Sequence, residues 1–216
     1  YVKGGILIDG RLQKAKIKYR GDFLYHWGWD KKSIRVKTGK GTLFSGLRTF
    51  NLQTPKTDQQ LNNYLSLKLG KVFGLLAPHT EIVRLFLNGQ DRGVYIFVEQ
   101  PGETTLRNAQ LMPGDMYRGE MVGKDRFSFQ GKPKKWRLFD SLSYWDKVAI
   151  NNHYDPESLA PLEKLLMLVE DRKSGKSHAL LGELMDMEAW GRFSAFETLA
   201  STRHTSNSHN WRLYYD

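Results

Sequence analysis

The sequence contains no cysteine, which excludes disulfide frameworks, thiolate zinc sites and thiol nucleophiles. It leaves the compartment open. No apolar run approaches the roughly 20 residues needed to span a bilayer, and no signal peptide is visible. Tyr1 is not an initiator methionine, so an upstream segment that has been removed is compatible with the sequence. Acidic residues are in the minority: 33 Lys and Arg face 23 Asp and Glu, a formal charge of +10 with pI near 9.6. That balance favours an anionic partner, such as a nucleotide, a polyphosphate, a nucleic acid or an acidic polymer. With 216 residues, 40% of them hydrophobic, and a mean hydropathy of −0.55, the chain can bury a substantial core as one large domain or two joined lobes.

The first hundred residues read mainly as strands. In "LQKAKIKYRG", Ala15, Ile17 and Tyr19 alternate with Lys14, Lys16, Lys18 and Arg20. In "KKSIRVKT", Ile34 and Val36 are opposed to Ser33, Arg35 and Lys37. If these strands are neighbours their like charges repel, and an anion across that face would relieve them; the alternative is a solvated face of outward-fanning lysines. Between them "GDFLYHWGWDKK", 21–32, carries Gly21 and Gly28 and four aromatics, a loop suited to covering a ligand, although no G-x-G-x-x-G pattern is present. "TDQQLNNYLSLKLGKVFG" predicts a helix with a Thr57/Gln60 capping box, a stop at Gly74, and Leu61, Tyr64, Leu65 and Val72 on the face that packs on the sheet. "EIVRLFLNGQDRGVYIFVEQPGE" predicts a hairpin, Glu81–Leu87 with Arg92–Glu99, turning at Asn88-Gly89 and broken at Pro101-Gly102.

Residues 101–155 show no sustained period, as in a long functional or inserted loop. Within it "GKPKKWRLFD" places Lys132, Lys134, Lys135 and Arg137 around Trp136, either a site for an acidic substrate or nucleic acid or a solvated basic loop. Asp155-Pro156 is expected to cap a helix with Leu162, Leu165, Leu166 and Val169 on its core face. "SGKS", 174–177, lacks the first glycine of a phosphate loop, whose place is taken by Glu170, and reads as the turn before the next helix. That helix, roughly Asp186 to Ala200, is expected to bury Trp190, Phe193 and Phe196, and it leads into "STRHTSNSHNWRLYYD".

Sheet, packed helix, hairpin and sharp exit resemble the smaller lobe of a protein-kinase-like fold. The pieces "YRGDF", "KKSIRVKT", "TFNLQT", "RLFLNGQDRGVYIFVEQ", "MYRGE" and "HNWRLYYD" occur in the order seen in spore coat protein H-like proteins, the CotH kinase family, and the resemblance covers about 12–216. It implies an α+β, reduced, atypical protein-kinase-like two-lobed fold with an N-terminal antiparallel sheet and a helical second lobe. The division would be 1–100 for the sheet-rich lobe, 101–155 for the connecting region and 156–216 for the helical lobe. It further implies an ATP-dependent transferase, using Mg2+ or Mn2+, that phosphorylates serines of a protein substrate, with a surface, envelope or spore-coat setting and no nucleic-acid partner.

Residue by residue, the resemblance assigns Arg20 and Gly21 to the loop over the phosphates, and Lys31 or Lys32 with Arg35 to phosphate contacts. Glu99 and Gln100 fall at the hinge, Tyr117 beside the base, and Asn210 at the metal. Two departures stand out. The position where the family carries a catalytic aspartate is held by His204, and the chain ends at Asp216 before the family's second metal-binding aspartate, so an incomplete C-terminus is expected. Other readings are a pseudokinase, or a non-enzymatic module holding an anionic polymer on its basic sheet. A zinc site on His204 and His209 is the weaker alternative, since the spacing has no HExxH pattern and no cysteine supports it.

Overall fold

A computed structural model of the chain describes residues 1–21, 28–55, 61–121, 137–149, 158–171, 174–201 and 210–216. The fold is α+β and divides into two compact units, Tyr1–Val72 with Leu76–Thr105, and Phe73–Leu75 with Leu106–Asp216.

The first unit is built on six antiparallel strands: β1 (Val2–Ile8), β2 (Arg11–Tyr19), β3 (Ile34–Thr38), β4 (Thr49–Gln53), β5 (Thr80–Leu87) and β6 (Gln90–Glu99), in the order β1-β2-β3-β4-β6-β5. Register puts Ile17, Val36 and Phe50 in one line across the sheet, and Ile34, Leu52 and Phe97 in another. These residues, with Ala15, Leu47 and Tyr95, form its core, in which the rings of Phe44, Phe50 and Phe97 meet at 5.0–5.8 Å between centroids. The β5–β6 hairpin turns where expected, with Asn88 and Gly89 both at positive φ, 52° and 76°, the geometry of a type I′ turn. A second hairpin, β1 to β2 across Asp9-Gly10, was not anticipated although Asp-Gly signals it; Gly4-Gly5 interrupts the alternation that would reveal β1.

Helix α1 (Asn62–Val72) differs from the reading in the face it buries. Leu61, Leu65 and Val72 are 37%, 57% and 81% exposed, whereas Tyr64 and Leu67 are half-buried and Gly70 is buried. The buried side is the one that carries Gly70, which packs beside Ala77. Thr57 and Gln60 lie outside the described residues.

The second unit contains a three-stranded antiparallel sheet that the period-based reading missed: β7 (Asp115–Gly119) between β8 (Trp145–Ala149) and β9 (Trp211–Tyr215). It is therefore less purely helical than the resemblance implied. Four of the five β7 residues are buried, and Asp115 and Arg118 fall on opposite faces, so the strand has no apolar–polar alternation to detect. Gly119, from "MYRGE", is required by packing: a Cβ would sit 2.4 Å from Leu138 and 2.8 Å from the Trp145 ring. Trp145 in turn donates its indole N–H to the Leu138 carbonyl at 3.0 Å.

Against this sheet lie α3 (Ala160–Glu170), α4 (Gly175–Leu184) and α5 (Met187–Ala200), with short α2 (Glu103–Asn108) at the join of the two units. Leu162, Leu165 and Leu166 are buried and Val169 packs beside them, as their spacing predicts. Asp155-Pro156 lies outside the described residues, and α3 begins at Ala160 with Leu159 at its N-cap position. "SGKS" is the start of α4 rather than a turn before it: Ser174 occupies the N-cap position, and Ser177 donates to Asp171 at 2.6 Å. Trp190, Phe193 and Phe196 are half-buried, not fully buried; Trp190 stacks on Trp211 at 5.8 Å and Phe193 meets the same ring at 5.3 Å. Among the described residues no helix is long and apolar enough to cross a membrane.

Candidate nucleotide site and basic sheet face

Antiparallel register places side chains directly opposite each other on the same face. The core face takes Ile17, Val36 and Phe50, so the other face takes Lys16, Lys18, Arg35, Lys37 and Asn51. Lys16 stands opposite Lys3 on one side and Lys37 on the other, and Lys18 stands opposite Arg35. The like-charge adjacency expected from the two strand patterns is thus present, and β1 extends it.

Arg35 is the most ordered of these cations. Its Nε donates to Asn51 Oδ1 at 2.8 Å, and Asn51 Nδ2 donates to Gln100 Oε1 at 3.2 Å and to the Val98 carbonyl at 3.5 Å. Asn51 is 1% exposed, so its amide is a fixed bracket that orients the guanidinium and ties it to the last residue before the chain leaves the sheet. Periodicity alone passed over Asn51, because a polar residue inside "TFNLQT" looks like a break in an apolar run. Its signal is its position opposite Arg35.

The other expected phosphate contacts are not gathered there. Lys31 Nζ donates to the Val94 carbonyl at 2.6 Å and stands 4.8 Å above the Tyr95 ring, while Lys32 donates to the Trp29 carbonyl at 3.4 Å and stands 5.5 Å above Tyr19. Register puts Tyr19 and Tyr95 on the core face, so both lysines are held on the side of the sheet opposite Arg35. Arg20 continues the β2 pattern one step further, its N–H bonded to the Ser33 carbonyl at 2.9 Å, and Gly21 follows at φ 112°, a backbone state that suits glycine.

At the strand end, Glu99 points inward. It is 1% exposed; Oε2 accepts the His79 N–H at 2.9 Å and Oε1 accepts the Thr105 hydroxyl at 2.9 Å, while Thr105 Oγ1 also receives the Gly102 N–H at 3.0 Å. Its side chain therefore secures the turn at Pro101-Gly102, while the Gln100 side chain joins the Arg35 bracket.

In the second unit Tyr117 is a core residue, 2% exposed, with its hydroxyl 3.5 Å from Asp115 Oδ2. Asp115 also pairs with Lys147 at 2.9 Å, and both side chains are almost wholly buried. Burial first, and then the neighbouring Asp115 carboxylate, push the Tyr117 phenol well above the usual tyrosine range. Because the folded value is raised, this tyrosine contributes stability below about pH 10 that is lost as pH climbs through and above that value, where the unfolded chain ionises first. Thermal melts from pH 8 to 11 should show this alkaline loss, and Tyr117→Phe should flatten it; an unchanged slope in the variant would count against the assignment.

Asn210 is exposed, at φ 67°, immediately before β9, whose Trp211 anchors it in the aromatic cluster. His204 and His209 lie outside the described residues, as do Lys132, Lys134, Lys135 and Trp136.

Residues 17–216 match the CotH kinase protein family, and the chain belongs to that family. Over 102 residues it is 30% identical to the inner spore coat protein H of Bacillus subtilis (strain 168), a match that covers 47% of this chain and 28% of that relative. The chain thus spans well under two thirds of the length of the curated relative it matches.

Proposed function

We propose that this chain carries the nucleotide-handling part of an ATP- and divalent-metal-dependent kinase that transfers phosphate to protein serines. The observation that carries the reading is the Arg35–Asn51–Gln100 bracket. Among the described residues it holds a planar guanidinium through Nε, which leaves the two terminal nitrogens of the fork for paired phosphate oxygens. A donor held in place before the charge arrives needs no reorganisation when charge develops, which is how phosphoryl transfer is chiefly accelerated.

Arg35 would bind and orient the phosphates, and Arg20 and Gly21 would close over them. Lys31 and Lys32 would add longer-range positive potential from the other side of the sheet. Glu99 would hold the hinge turn in shape, leaving Gln100 at the edge of the bracket. Asn210 is the residue suited to a divalent ion through its amide oxygen, and such an ion would supply charge neutralisation of the phosphate oxygens. A neutral His204 imidazole would accept the serine proton.

Nucleotide affinity tests the reading. With Mg2+ or Mn2+ present, titration calorimetry should show that Arg35→Ala or Asn51→Ala weakens ATP binding by about 1–3 kcal/mol. Lys32→Ala should have a smaller effect, since its ammonium stands over Tyr19. Wild-type affinity in both Arg35→Ala and Asn51→Ala would remove the bracket from the site. A second reading, a module that holds an anionic polymer without transferring phosphate, is favoured by the lysine row across β1, β2 and β3.

A further inference from the structure

We propose that the exposed face of β1, β2 and β3 is a docking surface for an extended acidic polypeptide. It does not depend on phosphoryl transfer. Lys3, Lys14, Lys16, Lys18 and Lys37 are all exposed on these three strands, and Arg35 is half-buried beside them. Lys3, Lys16 and Lys37 form a straight row across the strands, at the inter-strand spacing of about 4.8 Å between backbones. Among the described residues, none of these six cations forms an ion pair with a carboxylate. A fold under selection for stability alone would alternate the signs of directly opposed pairs. Three lysines abreast, flanked by a Lys18–Arg35 pair, give up stability for a strong local positive potential.

The chemistry of the partner follows from the spacing and the residue types. Along β2, Lys14, Lys16 and Lys18 repeat every second residue, about 6.8 Å, the same interval at which alternate side chains of an extended polypeptide recur. An acidic strand laid along β2 therefore meets one lysine per carboxylate, and the cross-strand lysines widen the target. A single-stranded nucleic acid is held by stacking platforms between its charge contacts. Among the described residues, an aromatic ring beside these lysines is Tyr1, and Lys18 already covers it at 4.9 Å. Lysine ammonium groups act as point charges that suit single carboxylates, in contrast with the oriented fork of Arg35.

The test uses the full chain and a fluorescein-labelled peptide of alternating Glu and Ser, followed by anisotropy at low and physiological ionic strength. The wild type should bind, with affinity falling as salt rises. Lys16→Glu/Lys37→Glu should weaken binding by about tenfold or more, while Lys16→Glu alone, which sets a carboxylate between Lys3 and Lys37 and turns two repulsive pairs into attractive ones, should raise the melting temperature by about 2–4 °C. Arg11→Glu, on the other alternation of β2, should leave peptide affinity near wild type. ATP affinity is measured alongside at physiological ionic strength and should fall less in the double variant than in Arg35→Ala, which separates this surface from the Arg35 bracket. No peptide binding by the wild type at low salt would overturn the proposal, as would equal binding by the double variant. Tighter binding of inorganic polyphosphate or of a single-stranded oligonucleotide than of the peptide would overturn the choice of partner.

Discussion

Asp115→Ala should destabilise the second unit by about 3–5 kcal/mol, because it removes the carboxylate 2.9 Å from a lysine side chain that is only 3% exposed. The same change takes away the group nearest the Tyr117 hydroxyl. Reversible denaturant unfolding, read from tryptophan fluorescence that is rich in this unit, measures it. Replacing both partners, Asp115→Leu with Lys147→Met, should recover most of the loss, since neither charge is then buried alone. The comparison of single and double variants is the decisive one: a double variant as unstable as Asp115→Ala would mean that the pair's worth lies in packing and not in charge.

The largest expected effect on activity concerns His204, which lies outside the described residues and whose proposed role comes from its place in the sequence. If its imidazole accepts the serine proton, His204→Ala should slow phosphoryl transfer by about 10²–10⁴-fold, and the wild-type rate should rise with pH through about 6–7. His204→Asp separates a working base from a remnant: a gain in rate would mean that histidine had displaced the family's carboxylate without taking over its task. His209→Ala provides the control, for the kinase reading gives His209 no direct part, while a zinc site would need both histidines equally. Loss of bound zinc in both alanine variants, with phosphate transfer unaffected in each, would overturn the kinase reading of this loop.

What could be read in advance was whatever leaves a period. The β5–β6 hairpin was legible because one face of each strand is apolar and Asn88-Gly89 can adopt the paired positive φ angles of its turn. Helix α3 was legible because Leu162, Leu165 and Leu166 fall on one stripe. Strand β7 was invisible for the opposite reason, being buried on both sides, and β1 was hidden by its two glycines. The face of α1 was misread because leucines recur on both sides of the helix, so the spacing of Leu61, Tyr64, Leu65 and Val72 did not single out the side with Tyr64, Leu67 and Gly70 that is buried.

The candidate site divides in the same way. The place of Arg35 on the polar face was legible because it sits in a clean alternation, but which side of the sheet a loop lysine reaches is a matter of loop geometry, and Lys31 and Lys32 went to the tyrosines of the core face. Asn51 escaped because its importance lies in who stands opposite, a property of register and not of sequence distance.

The position of β7 in the middle of its sheet also sets a timetable. The first unit can begin from local events, since β1 with β2 and β5 with β6 close across two-residue turns. The second unit cannot, because Asp115 to Gly119 must wait for Trp211 to Tyr215, far along the chain, before its second edge is covered. Closing so long a loop is entropically unfavourable and slow compared with a hairpin. During synthesis β7 is therefore exposed along one edge for as long as the ribosome takes to reach β9, and that interval is when this chain is most open to pairing with the wrong neighbour.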